Sequence, residues 1–288
     1  MTNTVLVLGA SGSFGRNCVE AFSKAGWSVR KYRRDVDDIT VVSQGVDVIV
    51  NGLNPQNYKN WPVELPRITK LVVGAAISSG ATILQPGNVY NYGNHAGDWN
   101  EDTPHLAQTI KGKVRIEMEK ILYDATQKNG IQVIILRGGD YIDKDPSGNF
   151  IDFLGAKIGK GKFSYPGNPD IPHAWAYLPD MARAAVMLAE IRTTLAQFED
   201  VIFDGLTISG NDLTGLLQKV SGKNLTLTKF PWWLMKLLSP VWVLARELQE
   251  MRYLWNTPHS LDGAKLARLI PDFKPSKPEQ MMTGIVAQ

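Results

Sequence analysis

Three glycines in the segment GASGSFG (9–15) have the spacing of a phosphate-binding loop. The segment follows the apolar run VLVL (5–8) and precedes a helical pattern with Phe14 and Cys18 one turn apart. Glycine permits a positive φ and a close backbone approach, and a helix N-terminus directs amide groups at an anion. The context predicts a dinucleotide loop. Its expected contacts are Gly9, Ser11, Gly12, Ser13, Phe14 and Gly15.

The end of the second strand bears on which dinucleotide binds. An acidic residue about 20 residues beyond the loop would bind the ribose hydroxyl of NAD, whereas arginine accommodates the 2′-phosphate of NADP. The stretch VRKYRRDVDD (29–38) places Arg33 and Arg34 there, which favours NADP. A solvated basic turn is the alternative for the arginines, and Asp35, Asp37 and Asp38 keep NAD open.

Polar residues after the next two strands complete the expected cofactor site. NGLNP (51–55) follows the apolar run DVIV, and PGNVY (86–90) follows TIL (82–84). Asparagine in such turns can bind a ligand or serve ordinary turn chemistry, and both interpretations stay open. The expected contacts are Asn51, Gly52, Asn54, Pro86, Asn88 and, after a later strand, Gly138.

Alternating strands and helices predict the fold class. The run IQVIIL (131–136) reads as a further buried strand, and 109–127 as an amphipathic helix. Such alternation predicts an α/β, Rossmann-type, doubly wound parallel sheet. The alternation of strands and helices ends after about residue 150. We therefore expect a dinucleotide-binding domain over 1–165 and a smaller C-terminal substrate lobe over 166–288. The chain should be interwoven between the two.

Composition limits the classes of partner. The 288 residues are 44% hydrophobic, and 31 basic and 28 acidic residues are mixed along the chain. This gives little support for nucleic-acid binding. One cysteine suggests a reducing, cytoplasmic location, and the first residues read as a strand instead of a signal peptide. The four histidines are dispersed in sequence and no cysteine cluster exists, so no metal site is expected.

The most apolar stretch, FPWWLMKLLSPVWVLA (230–245), is interrupted by Lys236 and Pro240. It is shorter than the roughly 20 apolar residues that a membrane span needs. A pair of short helices packed on the main lobe is the favoured structure. A lid, a dimer surface and a membrane-surface contact are the alternatives.

Several motifs resemble the extended short-chain dehydrogenase/reductase superfamily, in its NAD-dependent epimerase/dehydratase branch. Besides the glycine loop, NVYNYG (88–93) is similar to the V-Y-G segment and EDTP (101–104) to the E-D-x-P turn. LRGGDYI (136–142) is similar to the L-R-P-G segment, and AYLPDMARA (176–184) to a helix start of this family. The resemblance implies an NAD(P)-dependent oxidoreductase or epimerase-like enzyme. It also implies a homodimer formed through helices that include 109–127.

The catalytic positions depart from the family. Its Tyr-x-x-x-Lys pair would fall on Lys111 and Arg115, and its serine or threonine would fall on Pro86. Lys111 could act as the acid/base if burial and the neighbouring cation favour its neutral amine, and it could also hold the cofactor. Alternatively, Tyr90, Tyr92 or Tyr141 could supply the proton. A clamp for phosphate or carboxylate is the third interpretation of Lys111 and Arg115.

The stretch IPHAWAYLPD (171–180) supplies the remaining substrate candidates. In the family this segment runs along the substrate cleft, so we expect His173 and Trp175 there, with Tyr90 and Tyr141. His173 could equally be a buried structural histidine, and Trp175 a core residue. Two functions remain open: an NADP-dependent oxidoreductase or epimerase acting on a small polar or sugar-nucleotide substrate, and a non-catalytic NADP(H)-binding sensor or assembly protein.

Overall fold

The computed structural model describes residues 2–55, 60–146 and 148–287. Its strands, numbered along the chain, are β1 (Thr4–Leu8), β2 (Ser28–Lys31), β3 (Val48–Asn51), β4 (Thr82–Gly87), β5 (Gly97–Trp99), β6 (Val133–Arg137), β7 (Asp140–Ile142), β8 (Lys162–Tyr165), β9 (Pro172–Tyr177), β10 (Phe198–Ile202), β11 (Leu206–Ser209), β12 (Thr226–Lys229) and β13 (His259–Leu261).

The helices surround these strands. They are α1 (Ser13–Lys24), α2 (Ile39–Val42), α3 (Trp61–Ser79), α4 (Ile110–Asn129), α5 (Phe150–Gly155), α6 (Leu178–Glu190), α7 (Gly210–Ser221), α8 (Trp232–Leu238), α9 (Val243–Glu250), α10 (Ala264–Leu269), α11 (Pro278–Met281) and α12 (Thr283–Val286). None of the helices in the described ranges combines the length and the apolar character that crossing a bilayer requires.

A six-stranded sheet in the order β10-β6-β4-β3-β1-β2 forms the centre of the molecule. Each neighbouring pair in it is parallel. The chain leaves β1 to one side for β2 and returns to the other side for β3. In open α/β sheets, ligands bind beyond the carboxyl ends of the strands where the winding reverses. The loops after β1 and β3 are therefore the expected site.

Both faces of the sheet are covered, which explains the continuous apolar strands. In β1, Val5 and Val7 join one core cluster, whereas Leu6 and Leu8 join the other. Helices α1 and α6 pack together on the first face, and α3 packs with α4 on the second. The α/β, doubly wound fold class predicted from the sequence is confirmed.

A smaller group of elements lies beyond the carboxyl end of the sheet. A mixed three-stranded sheet, β11-β9-β7, and the parallel pairs β12–β8 and β13–β5 make up its strands. Its core contains Trp175, Phe163, Leu213 and Trp255. The chain crosses back, because β10 and α6 follow residue 165 and yet complete the large sheet and its cover.

Candidate functional site

The glycine segment forms a tight loop between β1 and α1. Gly9 has φ +69°, and its carbonyl oxygen accepts a 2.9 Å hydrogen bond from the amide of Gly12. Helix α1 begins at Ser13, and its N-cap, Gly12, supplies no side-chain cap. The first amide groups of the helix therefore stay available to a ligand.

The other glycines of the loop keep the backbone compact. A Cβ at Gly15 would lie 2.1 Å from the carbonyl oxygen of Gly9. A Cβ at Gly9 would lie 2.4 Å from the carbonyl oxygen of Gly52, in the loop after β3. Only residues without a Cβ allow these contacts, so the two loops are packed edge to edge at the carboxyl end of the sheet.

A cavity of about 430 Å³ opens in front of these loops. It joins the start of α1, the loops after β3 and β4, the loop before α5 and one side of α9. The described residues that line it are Gly12, Ser13, Phe14, Asn51, Gly52, Leu53, Asn54, Pro55, Trp61, Gln85, Pro86, Asn88, Tyr90, Arg115, Gly139, Asp140, Tyr141, Gly148, Asn149, Phe150, Phe153, Leu244 and Leu248.

Eight of the predicted cofactor residues lie in this wall: Gly12, Ser13, Phe14, Asn51, Gly52, Asn54, Pro86 and Asn88. Asn51 is held in place because its Nδ2 donates to Oε1 of Gln85 at 2.7 Å. Asn88 has a local role as well, since its Oδ1 accepts from the amide of Tyr90 at 3.2 Å. The sequence left ligand and turn roles open for Asn88, and the structure gives it both a turn bond and a position in the wall.

Other predicted cofactor residues are absent from the described wall. Gly9 and Gly15 shape the loop from behind, and Ser11 is exposed beside it. Gly138 is a packing residue, because a Cβ there would lie 2.7 Å from the Cβ of Ala176. Arg34 is exposed beyond β2.

Arg33 follows β2, as the sequence predicted, but it has an intramolecular partner. Its Nη2 lies 2.9 Å from Oδ1 of Asp37, and its backbone amide donates to Oδ2 of the same carboxylate at 2.8 Å. The Arg33 side chain nevertheless remains 69% exposed. It thus reaches solvent beside the glycine loop without lining the cavity.

The surroundings of the Lys111 side chain differ from those expected of a catalytic or cofactor-binding residue. Its side chain is 2% exposed, and Nζ lies 2.6 Å from Oε2 of Glu247 and also contacts Glu250. Two carboxylates of α9 thus occupy the amino group that an acid/base or a cofactor ligand would direct at the cavity. Lys111 is not among the described residues of the cavity wall. The structure therefore argues against its predicted roles as proton donor and cofactor ligand.

The contact with Lys111 also changes the pKa of one of the two carboxylates. Burial would raise the pKa of Glu247, but hydrogen bonds from Lys111 and Arg246 outweigh burial and lower that pKa below the usual range of glutamic acid. Glu250 contributes a further bond, since its Oε1 accepts from the backbone amide of Lys111 at 3.0 Å. The ion pairs fix α9 to the first turn of α4.

Arg115, one turn after Lys111, does line the cavity. Its guanidinium carbon lies 4.8 Å from the ring centroid of Trp61, a cation–π arrangement that leaves the charge near the cavity. Its buried Nε has no hydrogen-bond partner within the described part of the chain. This is the one cation among the described lining residues, and it suits a phosphate or a carboxylate.

The candidate tyrosines divide into two groups. Tyr90 and Tyr141 line the cavity. Tyr92 is 1% exposed, its hydroxyl donates to the backbone oxygen of Asn100 at 3.2 Å, and burial raises its pKa. Tyr92 is therefore a core residue and cannot supply a proton to the cavity.

His173 and Trp175 lie behind the wall instead of in it. His173 is 2% exposed, and its ring stacks on Trp255 with centroids 4.0 Å apart. Its Nε2 is 2.9 Å from Oδ2 of Asp140, which does line the cavity. Trp175 is fully buried in the same aromatic cluster. His173 therefore reaches the cavity only through Asp140, and Trp175 is a core residue.

His259 lies close to His173 in the structure, but other groups contact its ring. His259 approaches His173 to 4.6 Å, although the two are far apart in sequence, but its ring nitrogens contact backbone groups of Thr257 and Ala174. Burial, followed by the charge of His173, lowers the pKa of His259 to about 3.

A second cluster holds one imidazole and two carboxylates, from His105, Glu119 and Asp200, within 4.8 Å of one another. The guanidinium of Arg137 bridges the two carboxylates at 2.9 Å and 2.7 Å. The cation that this cluster binds is thus its own arginine, and Arg137 has a structural role.

Comparison with known proteins was made by sequence and by structure. Neither models of known protein families nor curated protein sequences match this chain. Three similar solved structures are UDP-glucuronic acid 4-epimerase from Bacillus cereus with UDP-glucuronic acid and NAD (TM-score 0.75, covering 98% of both chains), UDP-N-acetylglucosamine 4-epimerase from Bacillus cereus (0.74, 99% of both chains) and UDP-glucose 4-epimerase from Brucella ovis with NAD (0.74, 98% of this chain and 99% of that chain).

The chain has the fold of these epimerases. Sequence identity to each of the three is 14%, a level at which the likeness establishes the fold and leaves activity to be argued from the site. The expectation of the fold of extended short-chain dehydrogenases, made from the glycine loop and four further motifs, is confirmed in this sense.

The sequence patterns did not identify several residues that line the cavity. Gln85 lies within β4 and Asp140 begins β7, and polarity alone could have marked both residues. Leu244 and Leu248 come from α9, about 90 residues along the chain from Phe153, the nearest other wall residue in sequence. No sequence signal points to these leucines, because their position depends on how α9 docks.

Proposed function

We propose that the protein binds a nicotinamide dinucleotide and transfers a hydride between it and a small polar substrate. The observation that carries this proposal is the single cavity shared by the glycine loop, Asn51, Pro86 and Asp140. Two of the three similar structures hold NAD, and one of these two also holds UDP-glucuronic acid, which favours sugar nucleotides as the substrate class.

The residues present fit a dinucleotide. The glycine cradle has no room for a Cβ at Gly9 or Gly15, and the start of α1 presents uncapped amides. Gly12 and Ser13 would hold the pyrophosphate, and Asn51 and Asn54 would lie along the adenosine half. A purely structural turn would not require such a closely packed glycine cradle.

We propose NADP as the preferred form. Arg33 and Arg34 are exposed just beyond β2, where a 2′-phosphate would lie in this fold. Arg33 would exchange its exposed contact with Asp37 for a phosphate contact at little cost, because surface ion pairs contribute little.

The chemistry divides between the cofactor and the chain. The nicotinamide, when bound, accepts or donates a hydride. We assign the proton to Asp140, which is the one carboxylate among the described residues of the wall. When a substrate alcohol is oxidised to a carbonyl, the carbon that bears the hydroxyl would give its hydride to the nicotinamide, and the hydroxyl proton would pass to Asp140. His173 holds that carboxylate from behind, and Arg115 binds an anionic group of the substrate or cofactor.

A non-catalytic, NADP(H)-binding sensor is the second candidate. It is favoured by the ion pairs that occupy Lys111 and by Pro86 at the serine or threonine position of the family. The two functions differ in consumption of the cofactor. An enzyme oxidises NADPH in the presence of carbonyl compounds or keto sugars, monitored by absorbance. A sensor binds NADPH without consuming it, even across a broad panel of such compounds.

We also propose that a homodimer forms through α3 and α4, the two helices that pack together on one face of the sheet. Their outer surfaces carry exposed apolar residues that a partner would cover: Val63, Leu71, Ile77, Ile110 and Tyr123. Light scattering of the protein and of a Leu71→Glu variant tests this proposal, since the variant should be monomeric.

A further inference from the structure

Helices α8 and α9 carry a continuous group of exposed apolar side chains, here called the α8–α9 surface. Its members are Trp233 (71% exposed), Leu237 (68%), Val241 (86%), Trp242 (39%) and Val243 (40%). Exposed tryptophan is costly in water and concentrated apolar patches mark contact sites. Five such residues within 11 positions therefore indicate a surface that another molecule covers.

These side chains are not needed to hold the helices on the protein. The inner side of the pair does that, with Met235 and Ala245 buried and with Leu244 and Leu248 in the cavity wall. The indole nitrogen of Trp232 donates to the backbone oxygen of Pro166 at 2.6 Å, which anchors the start of α8. Trp233, Leu237 and Val241 face outward, whereas Trp242 also borders a groove beside Met235 and Leu244.

The chain around this surface is basic. No aspartate or glutamate occurs from 213 to 246, a stretch that contains Lys219, Lys223, Lys229, Lys236 and Arg246. A second stretch, 153–169, also lacks acidic residues and contains Lys157, Lys160 and Lys162. The parallel pairing of β12 with β8 brings the two stretches side by side.

Most of these cations have no carboxylate partner among the residues that the structure describes. Lys219 pairs with Glu279 and Arg246 with Glu247. The other six lysines make no ion pair within the described part of the chain. Lys157 also lies beside apolar residues of α5 and α8. Cationic and apolar groups thus occupy one side of the molecule.

We propose that the α8–α9 surface docks on the surface of an anionic lipid bilayer. Tryptophan and leucine side chains enter the boundary between headgroups and acyl chains, and lysine ammonium groups contact the anionic headgroups. The helices are seven and eight residues long, so they lie on the bilayer. A symmetric contact with a second copy would bring Lys236 and its neighbours against the same cations, which disfavours that occupant.

The test is flotation of the full-length protein with vesicles of phosphatidylcholine alone and of phosphatidylcholine mixed with phosphatidylglycerol. We expect binding to the mixed vesicles, weak binding to the neutral ones, and release by salt because the attraction is partly screened electrostatics. The double variant Trp233→Glu, Leu237→Glu should lower binding about tenfold or more. The variant Val36→Glu, Val41→Glu, on exposed valines elsewhere, serves as the matched control and should bind like the parent.

A second variant tests the charge separately. Lys229→Glu, Lys236→Glu leaves the apolar residues in place and should abolish the preference for anionic vesicles. The proposal is overturned if the parent does not float with anionic vesicles or if the Trp233→Glu, Leu237→Glu variant floats equally well. It is also overturned if that variant instead converts a dimer to a monomer in light scattering without a loss of flotation. None of these results depends on cofactor binding or turnover.

Discussion

Nζ of Lys111 lies 2.6 Å from Oε2 of Glu247 and also contacts Glu250, joining the start of α4 to α9. The resemblance puts Lys111 at the position of a catalytic tyrosine, yet the side chain acts here as an anchor. Because Leu244 and Leu248 of the anchored helix line the cavity, the ion pairs shape the site without entering it.

Replacing the anchor should destabilise the protein. Lys111→Met removes the cation shared by the partly buried carboxylates of Glu247 and Glu250 and leaves Glu247 with only the exposed Arg246, so we expect a loss of about 2–4 kcal/mol in the free energy of unfolding. Glu247→Gln should cost less, because Glu250 remains. Denaturant titration measures both, and their effects should be strongly non-additive in the double variant. Lys113→Met, on the exposed side of the same helix, is the control and should change stability by no more than about 0.5 kcal/mol. Equal losses at Lys111 and Lys113 would contradict the anchor.

Acid should weaken the same contact. The pKa of Glu247 is lower in the folded protein than in the unfolded chain, so the folded state binds fewer protons as the pH falls. Its contribution is complete above the ordinary glutamate pKa of about 4.3 and disappears as the pH falls through the lowered value. Unfolding measured between about pH 6 and about pH 3 should show a shallower decline for Glu247→Gln than for the parent. Parallel curves would refute this assignment.

The glycine loop provides a steric prediction. Gly15→Ala places a Cβ where the carbonyl oxygen of Gly9 would be 2.1 Å away, so the backbone must move. We expect a destabilisation of about 2 kcal/mol or more and loss of dinucleotide binding. Gly74→Ala is the control, because Gly74 is exposed in α3 and a Cβ there meets nothing within 4 Å. This substitution should stabilise the helix by up to about 1 kcal/mol. A stable Gly15→Ala protein that binds dinucleotide normally would rule out the packing argument.

Asp140 provides the catalytic prediction. Asp140→Asn keeps the shape of the side chain and removes the base, so the rate of hydride transfer should fall by about 10²- to 10⁴-fold. The affinity for the dinucleotide should change little, since Asp140 is assigned to the substrate proton. Tyr90→Phe and Tyr141→Phe, at the two tyrosines of the wall, are the comparison. If either tyrosine variant loses the rate and Asp140→Asn does not, the proton belongs to tyrosine.

Much of the fold could be predicted because local patterns and packing agree. VLVL (5–8), DVIV (47–50) and IQVIIL (131–136) are apolar without alternation, as strands covered on both faces must be, and they form the middle of the sheet. Helix α3 was harder to recognise, because Pro62 and Pro66 interrupt its start. Pro62 is tolerated in the first turn, where its missing N–H would have no helical partner, whereas Pro66 lies inside the helix and removes a backbone hydrogen bond.

The site was only partly predictable for a physical reason. The loops after β1, β3 and β4 are local features, so the sequence pattern could identify candidate residues in them. The Lys111–Glu247 contact spans 136 positions and depends on the docking of α9, which no spacing reveals. His173 shows the same limit, since its role follows from its contact with Asp140, 33 positions away.

Calorimetric titration of the ligand-free protein with NADP⁺ and with NAD⁺ tests the central claim most directly. We predict saturable one-to-one binding of NADP⁺, weaker binding of NAD⁺, and loss of that difference in an Arg33→Ala, Arg34→Ala variant. Failure of both dinucleotides to bind the folded protein would contradict the account, because the cavity in front of the glycine loop would then have another ligand.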